Sequence, residues 1–275
     1  MWLLSLATLE NCLSLTASEQ VPTFEVANLQ TPLPSAVWRS TTLTPFIVGN
    51  FGDGAVIPAE TSIDVDTFAP WYTNAHTGDT VRWRFANTEA ELTSGPLADT
   101  GINDVWPGSP TTKYVDNFLA NWNYTHGRFI FTPTTCKWFR VDFDYTGNSD
   151  GYVQCGSLPI GERLAITATH PYRQGFNRAT ARRGGFESNL AAGGLAVGGF
   201  IGKRNWQGSI LVTENEWLDD IQPLIDSRLN GPVSLVLEEN EVLRPLDYMF
   251  FGYLPEATPI PQRASVEINI SIIEP

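Results

Sequence analysis

Apolar side chains recur at every second position in several stretches of this chain, the period of a β-strand that lays one face on a core. Val81, Trp83 and Phe85 fall on one side of such a stretch, with Arg82 and Arg84 on the other. Phe139, Val141, Phe143 and Tyr145 alternate in the same way with Trp138, Arg140, Asp142 and Asp144. Near the C-terminus, Val266, Ile268, Ile270 and Ile272 alternate with Glu267, Asn269 and Ser271. Ser209 to Val212 reads as a strand, Ser234 to Leu237 as a buried strand, and Tyr248-Met-Phe-Phe-Gly-Tyr253 as an aromatic one. Residues 93–112 are rich in Gly, Pro, Ser, Asn and Asp, which predicts long surface connections there.

The pattern changes to a helical period once. Thr213-Glu-Asn-Glu216 has the form of a capping box, in which hydroxyl and carboxylate each satisfy a free backbone N–H at a helix start. Trp217, Ile221, Leu224, Ile225 and Leu229 then share one helical face, and Asn230-Gly-Pro232 ends it. Pro223 lies inside this run, which predicts a kink or two short pieces.

Composition agrees with a folded β-rich protein. The 275 residues are 42% apolar and 17% charged, with 19 Pro, 23 Gly and nine Trp, a balance suited to short strands joined by turns. The formal charge of −13 repels phosphate backbones and anionic membrane surfaces. The longest basic run is Arg182-Arg183, so the sequence predicts no nucleic-acid partner. The opening Met1-Trp-Leu-Leu lacks a basic flank and soon meets Glu10 and Asn11, which predicts a strand rather than a leader. With no apolar run of spanning length, the chain reads as soluble. Cys12, Cys136 and Cys155 form no CxxC and no close Cys/His group, and they read as reduced core residues.

Two stretches carry a resemblance. Leu13-Ser-Leu-Thr-Ala-Ser18, Val26-Ala-Asn-Leu29 and Ala36-Val-Trp-Arg-Ser40 resemble the entry to discoidin-type, galactose-binding-like jelly rolls, in which the Trp is a packing residue. Trp138 to Asp144, the Asn148-Ser-Asp-Gly151 turn and Leu158-Pro-Ile-Gly161 resemble the closing hairpin of the jelly roll of bacteriophage tail proteins. Gln154 and Cys155 depart from that pattern. The strand, helix, strand and aromatic strand of the C-terminal part resemble the same tail proteins. The resemblance covers roughly residues 1–163. It implies a mainly β fold: an N-terminal β-sandwich jelly roll over 1–163 and a smaller α+β tail-assembly domain with one main helix over 164–275.

Chemical motifs are sparse. No Gly-x-Ser-x-Gly elbow occurs, and His76, His126 and His170 have no zinc spacing. Gly198 to Arg204 fails as a phosphate loop, because Val197 stands where Gly is needed and Arg204 where Ser or Thr follows the Lys. Thr146-x-Asn148-x-Asp150-Gly151 is an incomplete calcium loop and reads better as a hairpin turn. The carboxylates Asp142 and Asp144, and Asp219-Asp220, read as solvated faces, leaving a glycan hydrolase as the weakest alternative. Trp71 and Trp106 stand beside Pro in loop-like text, which makes them candidate platforms for a sugar ring. The Gly-rich segment 173–204, with Arg173, Arg178, Arg182, Arg183, Lys203 and Arg204, reads as a mobile assembly loop.

The sequence therefore predicts a non-enzymatic protein without cofactor or metal. The resemblance implies a structural component of a phage tail: a distal tail, tail-tip or baseplate protein, located in the virion and assembled in the host cytoplasm. Its partners would be copies of itself in a ring and neighbouring tail proteins. The alternative is a carbohydrate-binding module for host-surface glycans.

Overall fold

The structure, a computed structural model, describes residues 2–5, 9, 12–31, 36–52, 62–76, 78–105 and 127–166, and beyond these 177–183, 187–189, 195–197, 201–222, 232–236, 249–253, 257–262 and 265–273. The chain divides into two compact units, one of Met1–Ala165 with Val233–Met249 and one of Ile166–Pro232 with Phe250–Pro275.

In the first unit the strands are β1 (Trp2–Ser5), β2 (Ser14–Ala17), β3 (Trp38–Arg39), β4 (Phe46–Asn50), β5 (Ile63–Phe68), β6 (Thr80–Ala86), β7 (Ala98–Asp99), β8 (Asn103–Asp104), β9 (Phe129–Cys136), β10 (Trp138–Asp144), β11 (Gln154–Cys155), β12 (Ile160–Gly161) and β13 (Leu164–Ala165). One sheet runs β2-β4-β10-β6-β7, with β8 also on β6. A second runs β12-β5-β9, and β3 pairs β11 in a short ribbon. The two sheets bury their facing residues against each other as a β-sandwich. Phe68 of β5 packs on Trp83 of β6 with ring centroids 3.7 Å apart, and Phe131 of β9 on Phe85 at 4.9 Å. Val81, Trp83, Phe85, Phe139, Val141, Phe143 and Tyr145 are all buried, so the two alternating runs read from the sequence point as predicted. Trp38 is also fully buried, against Phe143 at 5.5 Å, the packing role its resemblance implied. Gly49 of β4 crosses directly over Phe139, and a Cβ there would fall inside the ring.

Residues 93–112 are not the plain connection that their composition predicts. A short helix, Glu91–Ser94, is followed by β7 and β8, which both pair β6. Their registers, Arg84 with Asp99 but Val81 with Asn103, differ by one residue, which is a bulge. Gly101 takes φ +68° inside it, and Thr100 Oγ1 accepts the Trp83 N–H at 3.0 Å. Polar, Gly-rich text can thus be a bulged edge strand, because the partner strand supplies the regularity. Residues 106–112 lie outside the described residues.

The remaining strands are β14 (Asn177–Arg183), β15 (Glu187–Asn189), β16 (Leu195–Val197), β17 (Ile201–Val212), β18 (Pro232–Val236), β19 (Met249–Tyr253), β20 (Ala257–Gln262) and β21 (Ser265–Ile273). β18 pairs β1, Leu3 facing Leu235, which groups Val233–Met249 with the first unit although the sequence placed it in 164–275. In the second unit β21 pairs β17, β19 and β20, and β17 also pairs β14.

The 173–204 segment is not a loop throughout. β14 and β17 pair in antiparallel register, Arg182 facing Gly202, Lys203 facing Ala181 and Arg204 facing Thr180. Arg178 and Arg183 also lie within this ladder, while Arg173 lies outside the described residues. Backbone pairing of β14 with β17 holds 177–183 and 201–204 in a sheet, while 173–176 and the Gly-Gly pairs at 184, 193 and 198 lie outside the described residues. The capping box is present: Glu216 Oε2 accepts the Thr213 N–H at 2.8 Å, and Thr213 Oγ1 accepts the Glu216 N–H at 3.2 Å. The helix that follows is π-wound over Glu216–Ile221, with Ile221 buried and Leu218 exposed. Leu224, Ile225 and Leu229 lie outside the described residues.

Candidate functional site

The loops of the sandwich gather at one end. Thr80 faces Asp144, Phe46 faces Asp142 and Ala17 faces Ile47, so residues 18–25, 40–45, 69–79 and 145–153 all leave the first sheet on the same side. This end is built around two buried asparagines. Asn74 donates from Nδ2 to Asp150 Oδ2 at 2.9 Å and to the Tyr152 carbonyl at 3.0 Å, while its Oδ1 accepts the Gln154 N–H at 2.8 Å. Asn148 donates from Nδ2 to the Asn74 carbonyl at 2.7 Å and to Asp79 Oδ2 at 3.1 Å, and its Oδ1 accepts the Asp150 N–H at 2.8 Å. Each buried amide is therefore satisfied at both ends, which fixes two loops to one another.

Asp79 is buried beneath this pair. Its Oδ2 also accepts the His76 N–H at 2.6 Å, and burial pushes its carboxyl above the ordinary range, against the lowering effect of those hydrogen bonds. Above the asparagines, Asp150 and His76 reach solvent, with side chains 37% and 50% exposed and Asp150 Oδ2 4.0 Å from His76 Nε2. The turn 148–151 closes with Gly151 at φ +80°, so Asn148 works as a turn residue whose oxygen is already engaged by the backbone.

Beside it, Arg39 of β3 projects between two rings. Its Cζ lies 4.5 Å from the Phe24 centroid and 4.2 Å from that of Tyr152, and Nη2 donates to Gln154 Oε1 at 2.7 Å. Phe24 and Tyr152 are both half-buried. The pairing of β3 with β11, Arg39 facing Gln154, sets this geometry.

Trp71 is not a platform. It is fully buried and joins a β-bridge to Ser157, its N–H donating to the Ser157 carbonyl at 2.9 Å. Tyr72 follows at φ +56°, a left-handed turn rare for a large side chain, and it reverses the chain so that Asn74 points into the loop end. The neighbouring Pro made this text look exposed, whereas the bridge draws it inward. Trp106 lies outside the described residues. Conversely, nothing in the sequence marked Asn74, His76, Tyr152 or Arg39. Asn148 and Asp150 stood out only as turn formers.

The thiols of Cys12, Cys136 and Cys155 are all buried and unpaired, and burial pushes each up to about 12, which leaves them protonated and inert. Asp142 is engaged by Arg84 Nη2 at 2.5 Å and by Arg140 Nε at 2.8 Å, and Asp144 accepts the Thr146 N–H at 3.1 Å. No group of three or more metal-ligating side chains occurs among the described residues. Among them, no helix is long and apolar enough to cross a membrane.

No family model and no curated relative matches this chain. Among solved structures it is similar to chitosan-binding module 1 of a chitosanase/glucanase from Paenibacillus sp. IK-5, at 16% identity over 57% of this chain and 98% of that one, with a TM-score of 0.38. It is similar too to a carbohydrate-binding module of Clostridium perfringens in complex with GalNAc-β-1,3-galactose, at 10% identity over 58% of this chain and 99% of that one, with a TM-score of 0.39. A third is the carbohydrate-binding module of AlyQ in complex with 4,5-unsaturated mannuronic acid, at 16% identity, 54% and 94% coverage and a TM-score of 0.34. These three are chitosan- or carbohydrate-binding modules.

Proposed function

We propose that the chain is a non-catalytic binding protein whose β-sandwich unit takes a saccharide at its loop end. The observation that carries this reading is the buried Asn74–Asn148 network, which grips Asp150, the Tyr152 carbonyl and, through Asp79, the His76 backbone at a solvent-accessible surface. Sugars are bound by such combinations, in which hydroxyls meet rigid acceptors and donors while a C–H face lies on an aromatic ring. Because the supporting amides are satisfied inside the protein, little ordering is left to do when ligand arrives. The test is isothermal titration of the full chain against a panel of oligosaccharides, repeated with Asp150→Ala. Saturable binding that weakens in the variant supports the reading, and a chain that binds no sugar on the panel refutes it.

A second reading places the chain in a bacteriophage tail, as a distal tail, tail-tip or baseplate component. It is supported by the sequence resemblance of residues 138–161 and of the C-terminal strands. A tail protein that also binds host-surface glycan would satisfy both readings. In that case the second unit would serve assembly, through copies of the chain around an axis. Immunogold labelling of intact particles tests it: label at one end of a tail supports this placement, and particles without label exclude it.

A further inference from the structure

Arg39 differs from the other arginines of the sandwich whose ion pairs are described. Arg82 meets Asp99, Arg84 and Arg140 meet Asp142, and Arg163 meets Asp66. Among the described residues Arg39 meets no carboxylate, although the chain carries a net charge of −13. It is held instead by neutral groups, the Phe24 and Tyr152 rings on its faces and Gln154 Oε1 at 2.7 Å from Nη2. Its Nε is sequestered without a hydrogen-bond partner among the described residues. A guanidinium packed against two rings and hydrogen-bonded to Gln154 has already lost rotamer freedom, so an incoming anion gains charge-assisted hydrogen bonds at little entropic cost. In an acidic protein, a half-buried cation without a counter-ion among the described residues, beside an accessible ligand surface, suits a ligand's negative charge.

We propose that Arg39 is the residue by which the loop end selects an anionic saccharide, one bearing a carboxylate or a sulfate ester, over a neutral one. This rests on the reading of the loop end as a saccharide site. The Tyr152 ring lies against the guanidinium, and Gln154 positions the fork. The overall charge disfavours long polyanions, so short oligosaccharides are the appropriate probes.

The experiment titrates the full chain with an oligogalacturonate, a sulfated galactan oligosaccharide and a neutral galactan oligosaccharide, using wild type, Arg39→Gln and Arg39→Lys. Wild type is expected to prefer an anionic probe, with affinity falling as salt rises. Arg39→Gln should weaken that probe by about tenfold or more while leaving any neutral binding in place. Arg39→Lys should recover little, because an ammonium neither stacks nor presents a fork. Which anionic probe responds tells carboxylate from sulfate. Equal binding of neutral and anionic probes, indifferent to Arg39, overturns the proposal and leaves the saccharide reading standing. Binding of none of the three by wild type removes both. Should Arg39→Gln fail to fold, the anionic preference and salt dependence of wild type alone decide.

Discussion

The outer face of the first sheet and the loop end of the same sandwich are both rich in charge, yet they differ in how that charge is satisfied. On the outer face, β6 and β10 form a ladder in which Asp142 ties Arg84 to Arg140, and Arg140 lies 3.7 Å over the Phe46 ring. Arg82 and Asp99 extend the ladder to β7. Every one of those charges has its counter-ion on a neighbouring residue or strand. At the loop end, neutral amides do the holding: Asn74 holds Asp150, which stays partly exposed, and Gln154 holds Arg39, which has no carboxylate partner among the described residues. Where polar groups satisfy each other they stabilise the fold, and where they are braced but incompletely satisfied they are available to a ligand.

The largest expected effect is on the ladder. Asp142→Ala leaves two arginines without their shared partner, and since Arg84 is only 12% exposed the change should cost about 1–3 kcal/mol. Urea unfolding would read this, and oligosaccharide affinity should not change. If binding falls as much as stability, the two regions are not independent. Tyr152→Ala makes the opposite test: a loss of about 1 kcal/mol in binding, several-fold in affinity, from removal of the aromatic face. Its unfolding midpoint should move little.

The acid behaviour of the two regions should also diverge. Asp79 has its folded pKa raised by burial above the unfolded value of 3.8, so the folded state holds the proton more tightly. Its contribution to stability is greatest below that value and declines as pH rises through the window up to its folded pKa. Asp79→Asn should abolish this decline, measured as urea midpoints across the mild acid range. Asp99 runs the other way. The Arg82 hydrogen bond holds its carboxyl below 3.8, so its stabilisation is present above that value and disappears as pH falls through the folded pKa. The smallest effect follows at neutral pH: Asp99→Asn should change stability by less than about 1 kcal/mol, since Arg82 is 43% exposed and the pair is screened by salt.

Much of the sandwich was legible because burial on one side writes a period of two into the text. The β6 and β10 runs, the capping box at Thr213 and the terminal β21 were read correctly from local pattern, and the packing role of Trp38 from the resemblance. Residues whose fate depends on distant strands were not. Trp71 sits in aperiodic text beside Pro70, and only its bridge to Ser157 shows that it faces inward. The strands β14 and β17 were obscured by Gly and Arg, because a ladder partner can impose order on text with weak intrinsic preference.

The candidate site shows the same division. The Asn148-Ser-Asp-Gly151 turn is local chemistry, since Asn and Gly make that turn wherever they stand. That Asn148 would also grip Asp79 and the Asn74 carbonyl, some seventy positions away, required the fold. Arg39 is the clearest case, because its significance lies in Gln154, Tyr152 and Phe24 and in the absence of an aspartate. The sequence by itself determined a mainly β, acidic chain with its core strands, its turns and one helix start, all set by periodicity and short-range hydrogen bonding. Tertiary structure alone decided which polar side chains converge and which remain unsatisfied, because loop convergence is a property of strand pairing between residues far apart in the chain.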